Sequence, residues 1–391
     1  MRSMRSRRKE ADGPLRVLQL HGTFLQGGKE ARVVRLMNHW GDRLSHDILL
    51  GDPGATAAAA GIDPAVPYRF LDGPALGGRP TFAKLHALAR LMRRYDLVVS
   101  FNWGAMDGVM AHRLFRRIKG LPPLVHHEDG FNADEAAVRD PMRNRYRRIA
   151  LGGARALVVP SSELARIAQK EWHQRAEKVH HIPNGIDVAA YAGRRPASAI
   201  PGLVPDGRLI VGTLAGLRPV KNLRRLVRAV APLKDKLRLV IIGDGEERAA
   251  ILAEAAALGM TDLVMPGFLP RPQDYVGAFD IFALSSDSEQ FPISLVEAMA
   301  AGLPVVSTNV GDVSAMVASA NRPFIVAPDD LSAFRAGLDK LAADPDLRAR
   351  IGEANRKRAL QCFDESVMIT LYERLYAGVV GVEPVEHDGD N

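Results

Sequence analysis

The segment RLIVGTLAGLRPVKNLRRLVRAVAPLKDKLRLVIIGD, residues 208–244, places two apolar runs on either side of an amphipathic stretch. The runs RLIVGTL (208–214) and RLVIIGD (238–244) are short and rich in aliphatic residues, which is typical of buried strands. The stretch near 221–233 has the apolar spacing of a helix. Because strands with continuous apolar character belong in parallel sheets covered by helices, the segment predicts a strand–helix–strand unit of an α/β fold.

The same alternation continues on both sides of this segment. Downstream, the predicted strands are 263–268, 280–285 and 304–308, with helices near 246–258, 292–301, 330–343 and 346–360. Upstream, the predicted strands are 15–20, 46–50, 96–100, 123–127 and 156–161, with helices near 28–42, 81–94, 105–118, 137–150 and 162–172. We therefore predict the α/β class with two doubly wound domains.

The domain boundaries follow from composition. We predict a basic disordered start (1–14), an N-terminal domain (15–187), a linker rich in Pro, Gly and Ala (188–207), a C-terminal domain (208–365), a closing helix that continues its pattern (366–380) and an acidic disordered tail (381–391). Ligands of open α/β sheets bind beyond the carboxyl ends of the strands. We therefore expect the site in a cleft between two facing domains, with the linker as a hinge.

Composition restricts the class and the location of the protein. The 391 residues are 47% hydrophobic and 25% charged, and no apolar run approaches the ~20 residues that span a bilayer. The basic start lacks the apolar stretch of a secretory signal, and the single cysteine, Cys362, suits a reducing compartment. These features predict a cytoplasmic protein.

The net charge of +7 indicates an anionic partner, which is nucleic acid, anionic lipid or a small phosphate compound. Basic residues cluster at Arg5–Lys9, at Arg143–Arg148 and at Arg218–Arg228. No zinc-finger, RNP or basic-zipper pattern accompanies them, which argues against nucleic acid. The clusters are compatible with attachment to an anionic membrane surface.

The segment SEQFPISLVEAMAAGLPVV, residues 288–306, sets two carboxylates around a predicted helix start. Glu289 precedes the helix, Pro292 suits its first turn, and Glu297 lies inside it. Free N–H groups at a helix start attract phosphate, and carboxylates accept hydrogen bonds from sugar hydroxyls. A nucleotide-sugar has both groups.

A second candidate segment follows the strand 208–214. Gly216 begins a turn that delivers Arg218 and Lys221 to the next helix start. An arginine and a lysine together are suited to a diphosphate, although both residues would also serve as solvated residues at a helix start.

Two glycine pairs allow two interpretations each. Gly243 and Gly245 form a strand-to-helix turn, but Arg248 breaks the GxGxxG spacing of a nicotinamide dehydrogenase. Gly27 and Gly28 enter a helix after the first strand. In each case a glycine permits close approach of a ligand, or simply turns the chain.

The run HHEDGF, residues 126–131, ends a predicted strand with four titratable side chains. Because neighbouring residues of a strand face opposite sides, at most one of His126 and His127 should reach a ligand. A histidine or carboxylate here is suited to positioning a sugar hydroxyl or to proton transfer. No spacing of further ligands predicts a metal site.

Together these segments resemble the retaining GT-B glycosyltransferases, which transfer sugars from nucleotide-sugars and have two Rossmann-like domains. The resemblance runs from about Leu15 to about Leu375. Its motifs are the double glycine 27–28, IPNGID (182–187), GLRPVKN (216–222), IIGDGEE (241–247), PGF (266–268) and EQFPISLVE (289–297).

The resemblance implies roles for individual residues. Glu297 would hold the ribose, Glu289 would contact the donor sugar, and Arg218 with Lys221 would bind the diphosphate and stabilise the leaving group. His127 or Asp129 would correspond to a family histidine in the N-terminal domain. The other donor-binding residues implied are Gly27, Gly28, Gly216, Gly243, Phe268, Phe291 and Pro292. The substrate would be a UDP- or GDP-sugar, with no cofactor and no metal ion.

The sequence departs from the family pattern at Gln290, where relatives often have glycine, and at Ala315, where they often have glutamate. These departures leave open a non-catalytic nucleotide-sugar-binding protein, and a nucleotide-sugar epimerase is a second alternative. Because Glu297 is assigned to the ribose, no nucleophile for double displacement is evident, and attack on the same face as the leaving phosphate fits better. The expected acceptor is a glycan or lipid-linked glycan in cell-surface or exopolysaccharide synthesis, with the enzyme on the inner face of the membrane.

Overall fold

The computed structural model describes residues 13–131, 135 and 139–381. They fall into two compact units. Unit 1 combines the chain up to Pro183 with the part from Met368 onward, and unit 2 comprises Asn184–Val367. The predicted basic start, except residues 13 and 14, and the predicted acidic tail beyond residue 381 lie outside the described residues.

Unit 1 contains a sheet of seven parallel strands in the order β3-β2-β1-β4-β5-β6-β7. The strands are β1 (Leu15–His21), β2 (Leu44–Leu50), β3 (Tyr68–Leu71), β4 (Leu97–Phe101), β5 (Leu124–His127), β6 (Ala156–Val159) and β7 (Val179–His181). Its described helices are α1 (Gly28–Trp40), α2 (Phe82–Met92), α3 (Met106–Lys119), α4 (Pro141–Leu151), α5 (Ser162–Lys170) and α12 (Glu365–Val380). The strand order reverses between β1 and β4, where Val17 is paired with Leu97.

Unit 2 contains a sheet of six parallel strands in the order β10-β9-β8-β11-β12-β13. The strands are β8 (Leu209–Leu214), β9 (Leu237–Ile242), β10 (Val264–Gly267), β11 (Ile281–Leu284), β12 (Val305–Thr308) and β13 (Ile325–Val326). Its described helices are α6 (Leu223–Val230), α7 (Arg248–Ala257), α8 (Ile293–Ala300), α9 (Val313–Met316), α10 (Leu331–Ala343) and α11 (Pro345–Cys362). The strand order reverses between β8 and β11.

Local chemistry sets several helix starts. The Asp344 side chain accepts a hydrogen bond from the Leu347 N–H at 2.8 Å, with Pro345 as the first residue of α11. Asp140 caps α4 in the same way before Pro141. Carboxylate caps satisfy N–H groups that have no helical partner, and proline suits the first position because it lacks an N–H.

Apolar side chains cover both faces of each sheet. In β1, Val17 and Leu18 belong to different core clusters, because neighbouring residues of a strand point to opposite faces. The predicted α/β class with two doubly wound domains is confirmed. The short strands β3 and β13 were not predicted, since neither is a long apolar run. Among the described residues, no helix combines the length and the apolar character needed to cross a membrane.

Two segments pack differently from the prediction. The closing helix was expected to continue the second domain, but α12 belongs to unit 1, where Met368, Tyr372 and Tyr376 are buried in the core. The predicted linker 188–207 belongs to unit 2, because Ile200 and Leu203 are buried in its core. Burial of apolar side chains, which composition alone did not assign to a domain, decides both placements.

Acid is expected to destabilise unit 1 through His46 on β2. Burial lowers the pKa of this imidazole from 6.5 to about 4, and its Nδ1 atom accepts a hydrogen bond from Gln19 at 2.9 Å. Between these pH values the unfolded chain binds a proton that the folded chain excludes, so stability is lost as pH falls. His46 by itself should therefore lower the free energy of unfolding by about 2 kcal/mol from pH 7 to pH 5.

Urea unfolding of the native protein and of His46→Gln at both pH values tests this expectation. The variant should show a smaller loss of stability between pH 7 and pH 5. An equal loss in both proteins would mean that His46 does not contribute.

Candidate functional site

The candidate site lies where two loops follow the central strands of unit 2. Residues 215–222 lead from β8 to α6, and residues 285–292 lead from β11 to α8. The Asp287 N–H donates to the Val220 carbonyl at 2.8 Å, and Ser285 Oγ donates to the Lys221 carbonyl at 3.0 Å. The two loops therefore hold each other at the edge of the sheet where open α/β sheets bind ligands.

Lys221 and Glu289 form an ion pair across these loops. Lys221 Nζ lies 2.5 Å from Glu289 Oε1, and Ser286 Oγ donates to the same oxygen at 2.7 Å. The side chains of Lys221 and Glu289 are only 16% and 9% exposed. The predicted cation for the diphosphate and the predicted carboxylate for the sugar thus lie side by side and neutralise each other.

Asn222 and Asp287 connect the same loops next to this pair. Asn222 adopts a left-handed backbone with φ 43°, and its side-chain amide lies within 3.2 Å of both Asp287 carboxylate oxygens. Asp287 also pairs with Arg225 at 2.7 Å. The sequence did not reveal this contact. Its only signal is the residue type of Asn222, since asparagine tolerates the left-handed region at a turn.

Arg218 has a different environment. Its side chain is exposed, and within the described part of the chain it makes no hydrogen bond or ion pair through its guanidinium. It stands beside Gly216, where a Cβ atom would lie 3.7 Å from Arg218 Nε. Of the two predicted cations, Arg218 is available to an anion, whereas Lys221 is already paired.

Two glycines allow these loops to pack. At Gly243, with φ +142°, a Cβ atom would lie 1.8 Å from the Ala215 carbonyl oxygen. At Gly311, with φ +53°, a Cβ atom would lie 2.2 Å from the Glu289 carbonyl oxygen. The predicted ligand residue Gly243 therefore admits the backbone of the first loop, and Gly311, which was not predicted, supports the backbone of Glu289.

The start of α8 lies next to Glu289. Pro292, predicted in the first helical turn, is the residue before the helix, and no side chain caps the N–H groups at this end. Phe291 packs its ring on Phe363 at a centroid distance of 5.7 Å. An uncapped helix start is suited to an anion, which is what the predicted diphosphate requires.

Glu297 lies in the middle of α8 and has a partner from the predicted linker. The Tyr191 hydroxyl donates to Glu297 Oε1 at 3.1 Å. Nearby, burial and the charge of Glu297 raise the pKa of Tyr275. The sequence gave no functional signal for Tyr191, because this tyrosine lies 106 residues away from Glu297 in the chain.

If Glu297 holds the donor ribose, as the resemblance implies, removing this hydroxyl should weaken donor binding. In Tyr191→Phe, Glu297 loses one hydrogen-bond donor that fixes its orientation, and the donor KM should rise about 5-fold, since one hydrogen bond contributes about 1 kcal/mol. Steady-state kinetics with the donor varied measures this effect. Tyr68→Phe, an exposed change in unit 1, is the control, and an equal rise in KM for both variants would contradict the assignment.

In unit 1, His127 is a core residue. It is 1% exposed, stacks on Phe101 at 4.6 Å, and places Nδ1 3.3 Å from the Ser100 carbonyl. Because a carbonyl only accepts, Nδ1 carries the proton, and Nε2 accepts a hydrogen bond from the Tyr376 hydroxyl at 3.0 Å. Burial and the charge of Arg32 hold the pKa of His127 well below its usual value. Of the two predicted alternatives, His127 is packed beneath α12.

Asp129, the other alternative, is paired. Arg32 binds both of its carboxylate oxygens, at 2.5 Å and 2.9 Å, and Asn102 Oδ1 accepts from the Asp129 N–H at 2.8 Å. Burial lowers the pKa of the Arg32 guanidinium. The charge and hydrogen bonds of Asp129 have a larger, opposite effect, so that the pKa is raised overall. Asp129 is therefore a fixed carboxylate whose side chain retains 13% exposure.

Gly27 and Gly28 form the entry to α1. Gly27 has an extended backbone before the helix, and a Cβ atom there would lie 2.9 Å from Glu30 Oε2. Glu30 in turn pairs with Lys29 at 2.9 Å. This geometry corresponds to the helix-entry turn, and contact with a donor stays a prediction.

Phe268 follows β10 at the carboxyl edge of the second sheet. Its ring is 68% exposed, after Gly267 with φ +92°.

Within residues 13–131, 135 and 139–381, no group of three or more His, Cys, Asp or Glu side chains is arranged to hold a metal ion.

Comparison with known proteins adds family evidence. Residues 26–190 match the model of Glycosyltransferase Family 4, and residues 197–358 match that of Glycosyl transferases group 1. The D-inositol 3-phosphate glycosyltransferase of Jonesia denitrificans is 30% identical over 347 residues, which are 79% of this chain and 80% of that enzyme. The chain belongs to the group 1 glycosyltransferases.

This glycosyltransferase also matches EpsF of Bacillus subtilis (strain 168), with 31% identity over 258 residues, which are 59% of this chain and 65% of EpsF. The family models and the Jonesia relative confirm the predicted glycosyltransferase family, and retention stays a prediction.

Solved structures agree with the GT-B fold of this glycosyltransferase. The crystal structure of Anabaena Alr3699/HepE in complex with UDP has a TM-score of 0.77 at 20% identity and covers 94% of this chain and 100% of that one. The UDP-glucose complex of the same protein has a TM-score of 0.75 and covers 93% and 100%.

Proposed function

We propose that this glycosyltransferase is a retaining, metal-independent enzyme that transfers a sugar from a UDP- or GDP-sugar to a glycan or lipid-linked acceptor. The observation that carries the proposal is the Lys221–Glu289 ion pair beside the exposed guanidinium of Arg218. A cation that is already oriented, next to a carboxylate and an unpaired arginine, matches the charges of a sugar diphosphate.

The donor would be bound by charges that are already in place. Arg218 and Lys221 would bind the diphosphate together with the uncapped start of α8. Glu289 would accept hydrogen bonds from the sugar, and Glu297, oriented by Tyr191, would accept them from the ribose. Gly216, Phe268, Phe291 and Pro292 would line this donor site, with the exposed Phe268 ring available for stacking on the base.

The reaction would proceed without a protein nucleophile. As the bond between the anomeric carbon and the phosphate oxygen breaks, negative charge grows on the leaving diphosphate, which Arg218 and Lys221 stabilise. The acceptor oxygen forms its bond to the same face of the anomeric carbon and gives its proton to the departing phosphate oxygen. The configuration of the donor is kept.

A donor panel tests the first half of this proposal. The Anabaena protein was crystallised with UDP and UDP-glucose, so UDP-glucose is the first donor to compare with GDP- and ADP-sugars. We expect the largest rise in melting temperature with the correct donor, and loss of this rise in Arg218→Ala. No shift with any nucleotide-sugar would overturn the assigned donor site.

Product analysis tests the second half. The anomeric configuration of the glycoside formed from an α-linked donor should be α, and a β-linked product would contradict retention. Incubation of the donor without acceptor distinguishes an epimerase, which would isomerise it.

The net charge supports the proposed location and, through it, the proposed acceptor. A net charge of +7 supports a cytoplasmic enzyme attached to the anionic inner face of the membrane, where lipid-linked precursors of cell-surface or exopolysaccharides are assembled.

A further inference from the structure

An open groove of about 900 Å³ lies in unit 1 at the amino ends of β5, β6 and β7. Six basic residues line it, namely Arg116, Arg117, Arg148, Arg155, Arg175 and Lys178. Among the described lining residues, Glu177 is the single carboxylate. Substrates of open α/β sheets bind at the opposite, carboxyl ends of the strands, so this groove is separate from the usual substrate edge of its sheet.

The positive charge of the groove is only partly compensated. Arg116 donates to the Gly153 carbonyl at 3.2 Å, and Lys178 donates to the Leu151 carbonyl at 3.2 Å, both at the end of α4. The pair of Arg175 with Glu177 is 3.8 Å long and exposed, so it contributes little. Burial, and to a smaller extent the charges of three neighbouring arginines, lower the pKa of Lys178.

Helices α3 and α4, which contribute to this groove, also expose aliphatic side chains. Leu114 and Ile118 on α3 are 49% and 83% exposed, and Met142 and Ile149 on α4 are 81% and 47% exposed. Exposed arginines alternate with them, namely Arg113, Arg117, Arg145 and Arg148. Aliphatic and cationic side chains on the same helices are typical of a surface that lies on a membrane.

The basic run Arg143–Arg148 divides between two environments. Arg147 is fully buried and pairs with Glu135 at 2.9 Å, and Arg143 reaches the same carboxylate at 3.1 Å. The exposed arginines of the run are therefore Arg145 and Arg148. Since Arg148 already lines the groove, the run adds one further charge, Arg145, to this surface.

We propose that the basic groove and the exposed residues of α3 and α4, together called the basic surface, bind an anionic lipid bilayer. Lipid phosphates would enter the groove, while Leu114, Ile118, Met142 and Ile149 would enter the headgroup boundary. A nucleic acid has the same charge, but it gains nothing from exposed aliphatic side chains, which offer no ring for a base to stack on.

This inference deepens the membrane attachment in the proposed function and rests on it for the choice of a bilayer. It does not depend on the donor site. Vesicle binding and donor binding are separate measurements, so failure of one leaves the other standing.

The test is flotation of the full chain with vesicles of phosphatidylcholine, with or without phosphatidylglycerol. We expect binding only when phosphatidylglycerol is present. The triple variant Arg117→Glu, Arg155→Glu, Arg175→Glu should bind at least about 10-fold more weakly, since each basic residue contributes about 1 kcal/mol at an anionic surface. The control variant Arg79→Glu, Arg322→Glu, Arg350→Glu makes the same change in net charge elsewhere on the surface. Its binding to the vesicles should stay within about 2-fold of that of the unchanged protein.

A second variant separates a bilayer from a soluble polyanion. Leu114→Ser, Ile118→Ser should weaken vesicle binding about 10-fold and leave the binding of a labelled oligonucleotide or of inorganic phosphate unchanged. Equal binding to neutral vesicles, equal losses in the triple variant and its control, or unchanged vesicle binding in Leu114→Ser, Ile118→Ser would each overturn the proposal. Because the substituted side chains are exposed, we expect all of these variants to fold. Their melting temperatures check this expectation.

Discussion

Lys221→Met is expected to lower kcat/KM for sugar transfer by about 10²–10³-fold, the usual cost of removing one group that stabilises charge in the transition state. Methionine preserves the length and most of the packing of lysine but removes its charge. The effect should be large because Lys221 is held 2.5 Å from Glu289 in a pair whose members are 16% and 9% exposed. In the proposed reaction, such a preorganised cation needs no reorganisation when the diphosphate leaves.

Steady-state kinetics on donor and acceptor measures this loss, and Arg224→Met provides the control. Arg224 is on α6, 48% exposed, and 3.7 Å from Glu247, so its removal should change kcat/KM by less than about 2-fold. If Lys221→Met lowers the free energy of unfolding but leaves kcat/KM near that of the control, Lys221 is a structural residue only. Glu289→Gln should reduce activity as well, because the proposed sugar contact loses its carboxylate and Lys221 loses the partner that holds it in place.

Gly243→Ala is expected to lower the free energy of unfolding by about 3 kcal/mol or more, combining overpacking with an unfavourable backbone. The new Cβ atom would lie 1.8 Å from the Ala215 carbonyl oxygen, and the backbone φ of +142° is one that side chains rarely permit. The obstructing atom belongs to the backbone of the first site loop, which is anchored by the Ala215 N–H donating to Ile242. The loop must therefore move, and Arg218 moves with it.

Urea unfolding and donor-induced thermal shift separate the two consequences, with Gly216→Ala as the matched control. At Gly216 a Cβ atom would have only Arg218 Nε nearby, at 3.7 Å, so stability should change by less than about 1 kcal/mol. If Gly243→Ala is as stable as Gly216→Ala, then the close approach of Gly243 to the Ala215 carbonyl does not hold in solution. If Gly216→Ala keeps its stability but loses the donor shift, Gly216 approaches the ligand.

Much of the framework was readable from the sequence because it depends on local patterns. The apolar runs 208–214 and 238–244 correspond to β8 and to most of β9, and the stretch between them contains α6. Parallel strands require helices between them, so the order of elements implied the sheets and the edge at which Gly216, Arg218 and Glu289 lie. The same residues carried the resemblance that the family models confirm.

The candidate site was only partly readable. The spacing of apolar residues along the sequence places a residue on a strand or a helix. It does not show which charged side chains form pairs in the folded protein. Lys221 and Glu289 are separated by 68 residues, and their pairing depends on how the loops after β8 and β11 fold together. Gly311 and Tyr191 were missed for the same reason, since each contacts a glutamate far away in the chain.

By itself, the sequence determined the two parallel sheets, the loops at their carboxyl edges and membership in the group 1 glycosyltransferases, because these depend on periodicity and motif order. Only the tertiary structure decided that α12 belongs to unit 1 and covers His127, whose partner Tyr376 is 249 residues away. It also decided that Asp129 is bound by Arg32 while Arg218 is exposed. The physical reason is that burial and charge pairing arise between distant segments, whose free energies depend on packing and not on local pattern.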